Sequence, residues 1–350
     1  METKDFLRGL SEGFGLSGSE WPVAEKVAEA FRELAEEVRI DCMGNCIALK
    51  KGTGEKRPVI MLAAHMDEIG LIVKKVDKGG FLRFTHVGGV DQRLLPAQEV
   101  IVHGRKDLRG IVGVMPPHLL SPADVAMSYK ENEMIIDVGL PEEEVKELVE
   151  VGDLITFAMD FTELAGDRVS GKAMDDRAGV AALLETLKYL KKVVHTADVY
   201  CVATVQEEVG LRGAIVSTYA LVPDIGVAID VGFGDMPGQP EYKSLNLEKG
   251  PGILHGANAH PKLVELLHKV AGEYGIPTQK DYSPAASGTD AWAIQISQAG
   301  VPTAVVSIPL RYMHTPVETL SLGDIAKTGR LLAFFCAAVD NEFVEGLKWC

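Results

Sequence analysis

A mostly apolar segment at residues 199–205 leads directly to two adjacent glutamates, Glu207 and Glu208. Its composition predicts a buried strand, and Gly210 predicts a turn into a following helix. The carboxyl ends of parallel strands in an α/β sheet are where ligands bind. Because adjacent carboxylates repel each other and resist burial, this end of the strand calls for a compensating cation.

Three more apolar segments lie just before residues that can bind a metal, and a fourth such residue opens a predicted helix. These residues are His65 after residues 59–64, Asp230 after residues 224–229, His314 shortly after residues 302–308, and Asp175 at the helix start. Any one of them alone is better explained as a hydrogen-bonded strand end or a helix cap. All of them in such positions, together with Glu208, predict a metal site.

The charges of these residues match two divalent cations. Asp175, Glu208 and Asp230 supply three negative charges, and the hydroxide of an activated water supplies the fourth. The two histidines would bind as neutral imidazoles, and Glu207 is left over as a possible general base. Nitrogen and carboxylate ligands without a thiolate predict zinc, with cobalt or manganese as alternatives.

Composition excludes several kinds of partner. The net charge of -15 argues against nucleic acid and anionic membranes, since both bind basic patches. No apolar run approaches the roughly 20 residues that cross a bilayer, and residues 1–6 have no apolar signal segment. The five cysteines are dispersed and odd in number, which predicts reduced thiols in a cytoplasmic protein.

The order of segments predicts two domains. Residues 1–68 and 165–350 alternate apolar strands with helices and predict a discontinuous α/β domain. Residues 69–164 contain short strand-like segments separated by turns, which predict an inserted β-rich domain. Within it, residues 116–132 are weakly patterned and contain three prolines, and we expect a mobile loop there.

The chain resembles the co-catalytic metallo-aminopeptidases of the tetrahedral (TET) type, also called glutamyl or deblocking aminopeptidases. The resemblance covers almost the whole chain, including the inserted domain. The motifs that carry it are His65-Met66-Asp67-Glu68-Ile69-Gly70, Met174-Asp175-Asp176-Arg177-Ala178-Gly179, Gln206-Glu207-Glu208-Val209-Gly210, Ile229-Asp230-Val231-Gly232 and Arg311-Tyr312-Met313-His314-Thr315.

This resemblance implies a role for each motif residue. The implied ligands are His65 and Asp230 for one metal, Glu208 and His314 for the other, and Asp175 bridging both. Glu207 matches the general base of the family, and Asp67 matches the carboxylate that orients His65. The peptide bond between Asp175 and Asp176 is expected to be cis.

The resemblance also implies the fold, the assembly and the activity. It implies a mixed-sheet α/β/α metallopeptidase domain with a barrel-like insertion, and dimers that assemble into a hollow twelve-subunit tetrahedron. The implied activity is hydrolysis of N-terminal residues from short peptides with a free N-terminus. Residues 287–290 and Arg311 are candidates for the substrate pocket, with loop capping equally open. The side-chain preference, acidic, basic or apolar, is left open.

Three other functions are weighed against this one. A glycoside hydrolase is the main alternative, because some members of the family carry a cellulase or endoglucanase label. Such an enzyme would use two carboxylates and no metal, and it would leave His65, Asp230 and His314 unexplained. A related metal-dependent deacylase or carboxypeptidase is a nearer rival. The third is a metal-stabilised structural protein, in which Glu207 would have no function.

Overall fold

The computed structural model describes residues 1–121 and 129–347, and contains a mixed sheet between helices, a closed β-barrel and a small three-stranded sheet. The strands are β1 (Glu37–Ile40), β2 (Cys46–Lys50), β3 (Val59–His65), β4 (Gly70–Val76), β5 (Leu82–Val87), β6 (Glu99–His103), β7 (Asp107–Gly113), β8 (Ile135–Asp137), β9 (Leu154–Phe157), β10 (Thr162–Glu163), β11 (Arg168–Gly171), β12 (Asp198–Thr204), β13 (Ile225–Phe233), β14 (Gly252–Gly256), β15 (Gln279–Ser283), β16 (Thr303–Leu310) and β17 (Glu318–Ser321). The helices are α1 (Thr3–Ser11), α2 (Trp21–Arg32), α3 (Glu142–Leu148), α4 (Met174–Leu190), α5 (Arg212–Leu221), α6 (Pro261–Glu273), α7 (Asp290–Gln295), α8 (Leu322–Ala338) and α9 (Asn341–Glu345).

The main sheet has the strand order β1-β2-β12-β3-β13-β16-β14-β15. Strands β12, β3, β13 and β16 run parallel, whereas β2 and β14 run antiparallel to their neighbours β12 and β16. In register, Thr204 lies beside His65 and Asp230 beside Ser307. The carboxyl ends of the central strands therefore meet at one edge, as the sequence predicts.

Helices cover both faces of this sheet. The α1, α2, α4, α6 and α8 helices pack on one face, where strand residues such as Leu62, Cys201 and Ile229 join the largest core. The α5 and α7 helices cover the other face, where Met61 and Ile294 are buried. Alternation along β3 and β13 thus directs His65 and Asp230 to the face that α5 and α7 cover. In the described parts of the chain, no helix has the length and apolar character to cross a membrane.

The six strands β4, β5, β8, β7, β6 and β9 close into an antiparallel barrel. The barrel has a hydrophobic core of its own, which includes Leu82 and Ile136. Its strands fall within the predicted insertion of residues 69–164, and the exact domain boundaries stay a prediction. The segment 116–132, expected to be a mobile loop, includes residues 122–128, which lie outside the described residues.

The structure departs from the expected elements in three places. The helical spacing of apolar residues predicts a largely helical segment over about residues 3–38, but residues 12–20 interrupt it and separate α1 from α2. Strand β13 does not end at Asp230 but continues to Phe233, because β16 pairs with it as far as Leu310. Strands β14 and β15 were not predicted, since β15 is a polar edge strand whose formation depends on its neighbour rather than on apolar residues.

A buried cluster of charged residues connects the segment that follows β3 with the start of α4. The Glu68 carboxylate lies 2.6 Å from Lys172 Nζ and 3.1 Å from Arg177 Nη2, and all three side chains are buried. Burial, opposed in part by Glu68, lowers the pKa of Lys172 to about 8. The Arg177 guanidinium also donates to the carbonyl oxygens of Leu10, Gly13, Gly15 and Met66.

Replacing Arg177 by Met should lower the free energy of unfolding by about 3–5 kcal/mol, because it leaves a buried carboxylate and several carbonyl groups without a partner. Thermal and denaturant unfolding measure this loss. Arg109→Met is the matched control, since Arg109 forms an exposed pair with Glu99 that is worth about 1 kcal/mol or less. Equal losses in the two variants would contradict a stabilising role for the cluster.

Candidate active site

The metal-ligand candidates named from the sequence come together at the carboxyl edge of the main sheet. Two groups of residues have ligand atoms that all lie within 4.8 Å of one another. One group is His65, Asp175 and Asp230; the other is Asp175, Glu208 and His314. Asp175 belongs to both groups, although it is far from the other residues in the sequence.

The Asp175 carboxylate lies between two histidines. Its Oδ1 is 3.1 Å from His65 Nε2, and its Oδ2 is 3.3 Å from His314 Nε2. The same nitrogen of His314 is 3.3 Å from Glu208 Oε1. The imidazole and carboxylate donors, with no thiolate among them, fit divalent ions such as zinc, cobalt or manganese.

Three buried carboxylates hold the backbone around this centre. Asp67 accepts from the N–H groups of Glu207 and Glu208, at 3.0 Å and 3.3 Å. Asp176 accepts from the N–H of His65, at 3.2 Å. Glu318 accepts from the N–H groups of Asp175 and His314, at 3.1 Å and 2.8 Å, respectively. Each of the three thus positions residues that line the cavity by accepting hydrogen bonds from their backbone N–H groups.

Asp67 has a wider set of contacts than the sequence indicated. Its Oδ1 lies 3.4 Å from His65 Nδ1, and the orienting role of Asp67 stays a prediction. Its Oδ2 also accepts a hydrogen bond of 2.6 Å from the Ser17 hydroxyl. One carboxylate therefore links the end of β3, the acidic pair after β12 and the loop between α1 and α2.

Negative charge at the site is crowded and poorly hydrated. Burial raises the pKa of Glu207 to about 10. The charge of His65 reduces this rise in part, and the neighbouring carboxylates add to it. Burial, with the charges of Asp176 and Asp175, also raises the pKa of Asp230 well above its ordinary value. Hydrogen bonds with Asp175 and Glu208 raise the pKa of His314 to about 11. This electrostatic environment favours bound cations, as the charge count from the sequence predicts.

The backbone around His314 requires support from other parts of the chain. His314 has a φ of 59°, in the left-handed region that non-glycine residues rarely occupy. Its Nδ1 lies 3.0 Å from the carbonyl oxygen of Gly89, in the segment that follows barrel strand β5. A Cβ at position 89 would come within 2.8 Å of that ring nitrogen, so this close approach requires glycine. The adjacent glycines Gly88 and Gly89 predict a turn, and nothing in the sequence indicates this contact with His314.

A cavity of about 460 Å³ opens beside the candidate ligands. Ser287, Gly288 and Thr289 line it, as the sequence suggested. Asp290 instead points into the protein and accepts a hydrogen bond from Thr204. Arg311 does not line this cavity but a neighbouring hollow, where it pairs with Asp235 at 2.8 Å, and its place in the substrate pocket stays a prediction.

Several of the residues that hold the site were missed by the sequence analysis. Two of them, Glu318 and Ser17, lie outside the motifs, and Asp176 lies within a motif but had no predicted role. No spacing in the sequence marks their carboxyl or hydroxyl groups as hydrogen-bond partners of the site. The cis peptide bond between Asp175 and Asp176 is present, which confirms the expectation from the family resemblance.

Comparisons with known proteins agree with this arrangement. Residues 44–331 match the profile of the M42 glutamyl aminopeptidase family. A lysyl aminopeptidase of Pyrococcus furiosus is 41% identical over 332 residues, which cover 93% of this chain and 94% of the relative. The crystal structure of a TET aminopeptidase from a marine-sediment Thaumarchaeota archaeon has a TM-score of 0.94 and 34% identity, with 99% of each chain covered.

The TET1 peptidase of Pyrococcus horikoshii, described as able to assemble into a tetrahedron or a large octahedral shell, has a TM-score of 0.84 and 33% identity. That match covers 97% of this chain and 100% of the other.

The chain therefore belongs to the M42 glutamyl aminopeptidase family. It is an aminopeptidase, and the predicted mixed-sheet α/β/α fold with a barrel is confirmed.

Glu318→Gln should reduce turnover of a peptide substrate by about ten- to a hundredfold, the range seen when the partners of metal ligands are removed. A glutamine keeps one acceptor oxygen but turns an NH₂ group toward the second backbone N–H, so either Asp175 or His314 is displaced. Steady-state kinetics measure the effect, and circular dichroism checks the fold. The matched control is the exposed Glu25→Gln, and equal turnover in both variants would contradict the positioning role.

Proposed function

We propose that this protein is a dinuclear metal-dependent aminopeptidase that removes residues from the free N-terminus of short peptides. The observation that carries the proposal is the Asp175 carboxylate, whose two oxygens face two different histidines at 3.1 Å and 3.3 Å. A shared carboxylate of this kind suits a pair of divalent ions better than a single ion. Membership of the M42 family supports the same activity.

The proposed ligands are His65 and Asp230 for one ion, Glu208 and His314 for the other, and Asp175 for both. Zinc suits these donors best, and cobalt or manganese are alternatives. When bound, the two ions would polarise the scissile carbonyl group and make a water molecule more acidic. The side chains' own part is to hold this donor geometry, which the backbone hydrogen bonds to Asp67, Asp176 and Glu318 support.

Glu207 is proposed as the general base. Its carboxylate lines the cavity, is one-tenth exposed, and lies 4.0 Å from His65 Nε2 without belonging to either ligand group. Bound cations beside it would oppose the rise in the pKa of Glu207 that burial causes and would favour its charged form. In that form it can accept a proton from the attacking water and later deliver that proton to the leaving amine. The hydrogen bond from its own N–H to Asp67 keeps the carboxylate beside the ligands.

Glu207→Gln should reduce turnover by about 10²- to 10⁴-fold while both metal ions stay bound, because the amide retains the shape of the side chain but cannot accept the proton. Peptide hydrolysis and elemental analysis of the same sample measure the two quantities. Glu208→Gln is the contrasting variant, expected to lose metal as well as turnover. Undiminished turnover in Glu207→Gln would rule out the base role.

The carboxylates around the cavity also account for selectivity toward the N-terminus. A free α-amine is cationic, and Glu207, Glu208 and Asp230 offer it negative charge beside the reacting carbonyl group. An acetylated amine carries no charge and adds bulk at the same place. The cavity therefore favours removal of one residue at a time.

A short peptide should be cleaved when its N-terminus is free, and cleaved at least about tenfold more slowly when it is acetylated, since one charged hydrogen bond alone contributes about 1.5–3 kcal/mol. Release of the first residue, followed by mass spectrometry on metal-loaded protein, measures the difference. Equal cleavage of both forms would indicate an endo- or carboxy-acting hydrolase, whereas a deacylase would act on the acetylated form alone. A glycosidase, which would cleave neither, leaves both histidines beside Asp175 without a role.

We also propose how the protein is divided into domains, how its subunits assemble and where it is located. Residues 1–68 and 165–350 would form the catalytic domain, and residues 69–164 would make subunit contacts in dimers that build a tetrahedral dodecamer. The full-length match to the TET1 peptidase supports this assembly. The protein would be cytoplasmic, which suits the free thiols of Cys42, Cys46, Cys201 and Cys336, and its partners would be peptides rather than nucleic acid or membranes.

A further inference from the structure

A second group of residues, with a different chemistry, lines the cavity beside the candidate ligands. Leu254 on β14, Asp281 on β15 and Val305 on β16 line it together with the imidazoles and carboxylates of the site. Leu254 and Val305 are buried and apolar, whereas Asp281 is half-buried and carries a carboxylate. This group suits an apolar stem with a polar tip.

The sheet directs the Asp281 carboxylate into this cavity. Ser307 on β16 lies beside Asp230 on one side and opposite Gly252 on the other, and Leu254 on β14 pairs with Asp281 on β15. Cross-strand partners, and residues two apart along a strand, point to the same face of a sheet. Asp281 and Asp230 consequently share the face that lines the cavity.

Two glycines leave room for this carboxylate. A Cβ on Gly232 would lie 3.0 Å from the Ser307 Cβ and 3.7 Å from Asp281 Oδ2. A Cβ on Gly252 would lie 3.2 Å from the Asp281 Cβ. A Cβ at either position would also collide with Leu245 Cδ1, at 2.7 Å for Gly232 and 2.8 Å for Gly252, so packing against Leu245 requires the glycines as well as the space beside the carboxylate.

The two hydrogen-bond donors that hold Asp281 are both neutral. The Ser307 hydroxyl donates to Oδ2 and the Tyr282 N–H donates to Oδ1, each at 2.8 Å. A carboxylate has about four acceptor positions, so two remain for a ligand. Neither donor balances the negative charge, which is therefore available to a cation that enters the cavity.

We propose that Asp281 determines which residues are removed, by binding the cationic side chain of an N-terminal lysine or arginine. This inference rests on the proposed aminopeptidase function. The methylene groups of such a side chain would pack against Leu254 and Val305, and its terminal cation would reach the free acceptor positions of Asp281. A glutamate side chain would meet a like charge, and an apolar side chain would leave those acceptors without a partner.

The spacing of the strands fits a lysine side chain. Neighbouring strands are about 4.8 Å apart, and the Asp281 carboxylate reaches Ser307, one strand away from Asp230. A substrate held near Asp230 would thus have Asp281 within about 5–10 Å. An extended lysine spans about 6 Å from Cα to Nζ, given bond lengths of about 1.5 Å and staggered torsions.

Lys243 is the rival determinant, because it also lines the cavity and would attract an acidic side chain. It is exposed, however, and its Nζ lies over the Tyr242 ring at 5.8 Å from the centroid. Water screens an exposed charge more than a half-buried one. Asp281, which is less exposed and held by two hydrogen bonds, is therefore the stronger influence on selectivity.

The test compares kcat/KM of the full-length, metal-loaded protein on the p-nitroanilides of lysine, norleucine and glutamate. Norleucine has the lysine stem without the ammonium group, so the lysine-to-norleucine ratio isolates the effect of the charge. We expect this ratio to be about ten or more in the wild type and to fall about ten- to a hundredfold in Asp281→Asn, the range for a hydrogen bond to a charged group. Asp281→Lys should instead raise the glutamate-to-norleucine ratio.

Two further variants sharpen the result. Asp160→Asn removes the same charge at an exposed site and should leave the ratio as in the wild type. Lys243→Gln should not lower it. A wild-type ratio near one, or a ratio that Asp281→Asn does not change, would overturn the role of Asp281, as would a glutamate preference that Lys243→Gln abolishes. Failure to cleave all three substrates would instead overturn the proposed aminopeptidase function, and this inference with it.

Discussion

Burial of several carboxylates in one place is the constraint on which the rest of this structure depends. Asp175, Asp176 and Asp230 are buried close together, and their mutual repulsion is unfavourable unless donors or cations compensate it. The protein divides the task between two sets of acids. Asp67, Asp176 and Glu318 accept hydrogen bonds from the backbone N–H groups of other residues of the site, whereas Asp175, Glu208 and Asp230 belong to the two groups that could hold a metal ion.

This division connects parts of the chain that are far apart in sequence. The N–H groups held by the first set belong to His65, Asp175, Glu207, Glu208 and His314, so the acids that do not face the cavity fix the ones that do. The barrel contributes as well, through the Gly89 carbonyl oxygen beside His314. The buried Glu68–Arg177 pair anchors the segment that carries Asp67. A change in any of these supports therefore affects the geometry of the centre.

The main sheet supplies two groups of residues that line the cavity. His65 and Asp230 lie on the central parallel strands β3 and β13, whereas Leu254 and Asp281 lie on β14 and β15. Because Asp281 and these candidate ligands lie on different strands, the selectivity role proposed for Asp281 is separate from the support of the ligands.

By itself the sequence determined the α/β class, the strands of the barrel and the candidate residues at strand ends, because apolar runs and turn residues are local signals. Charge counting could suggest a pair of cations from Asp175, Glu208 and Asp230 alone. Only the tertiary structure decided that Glu318 and Asp176 support the site, that Arg311 turns away to Asp235, and that Asp281 faces the cavity. The physical reason is that a carboxylate's role depends on which backbone amides, cations and strands surround it. Those neighbours come from distant segments, so no local pattern records them.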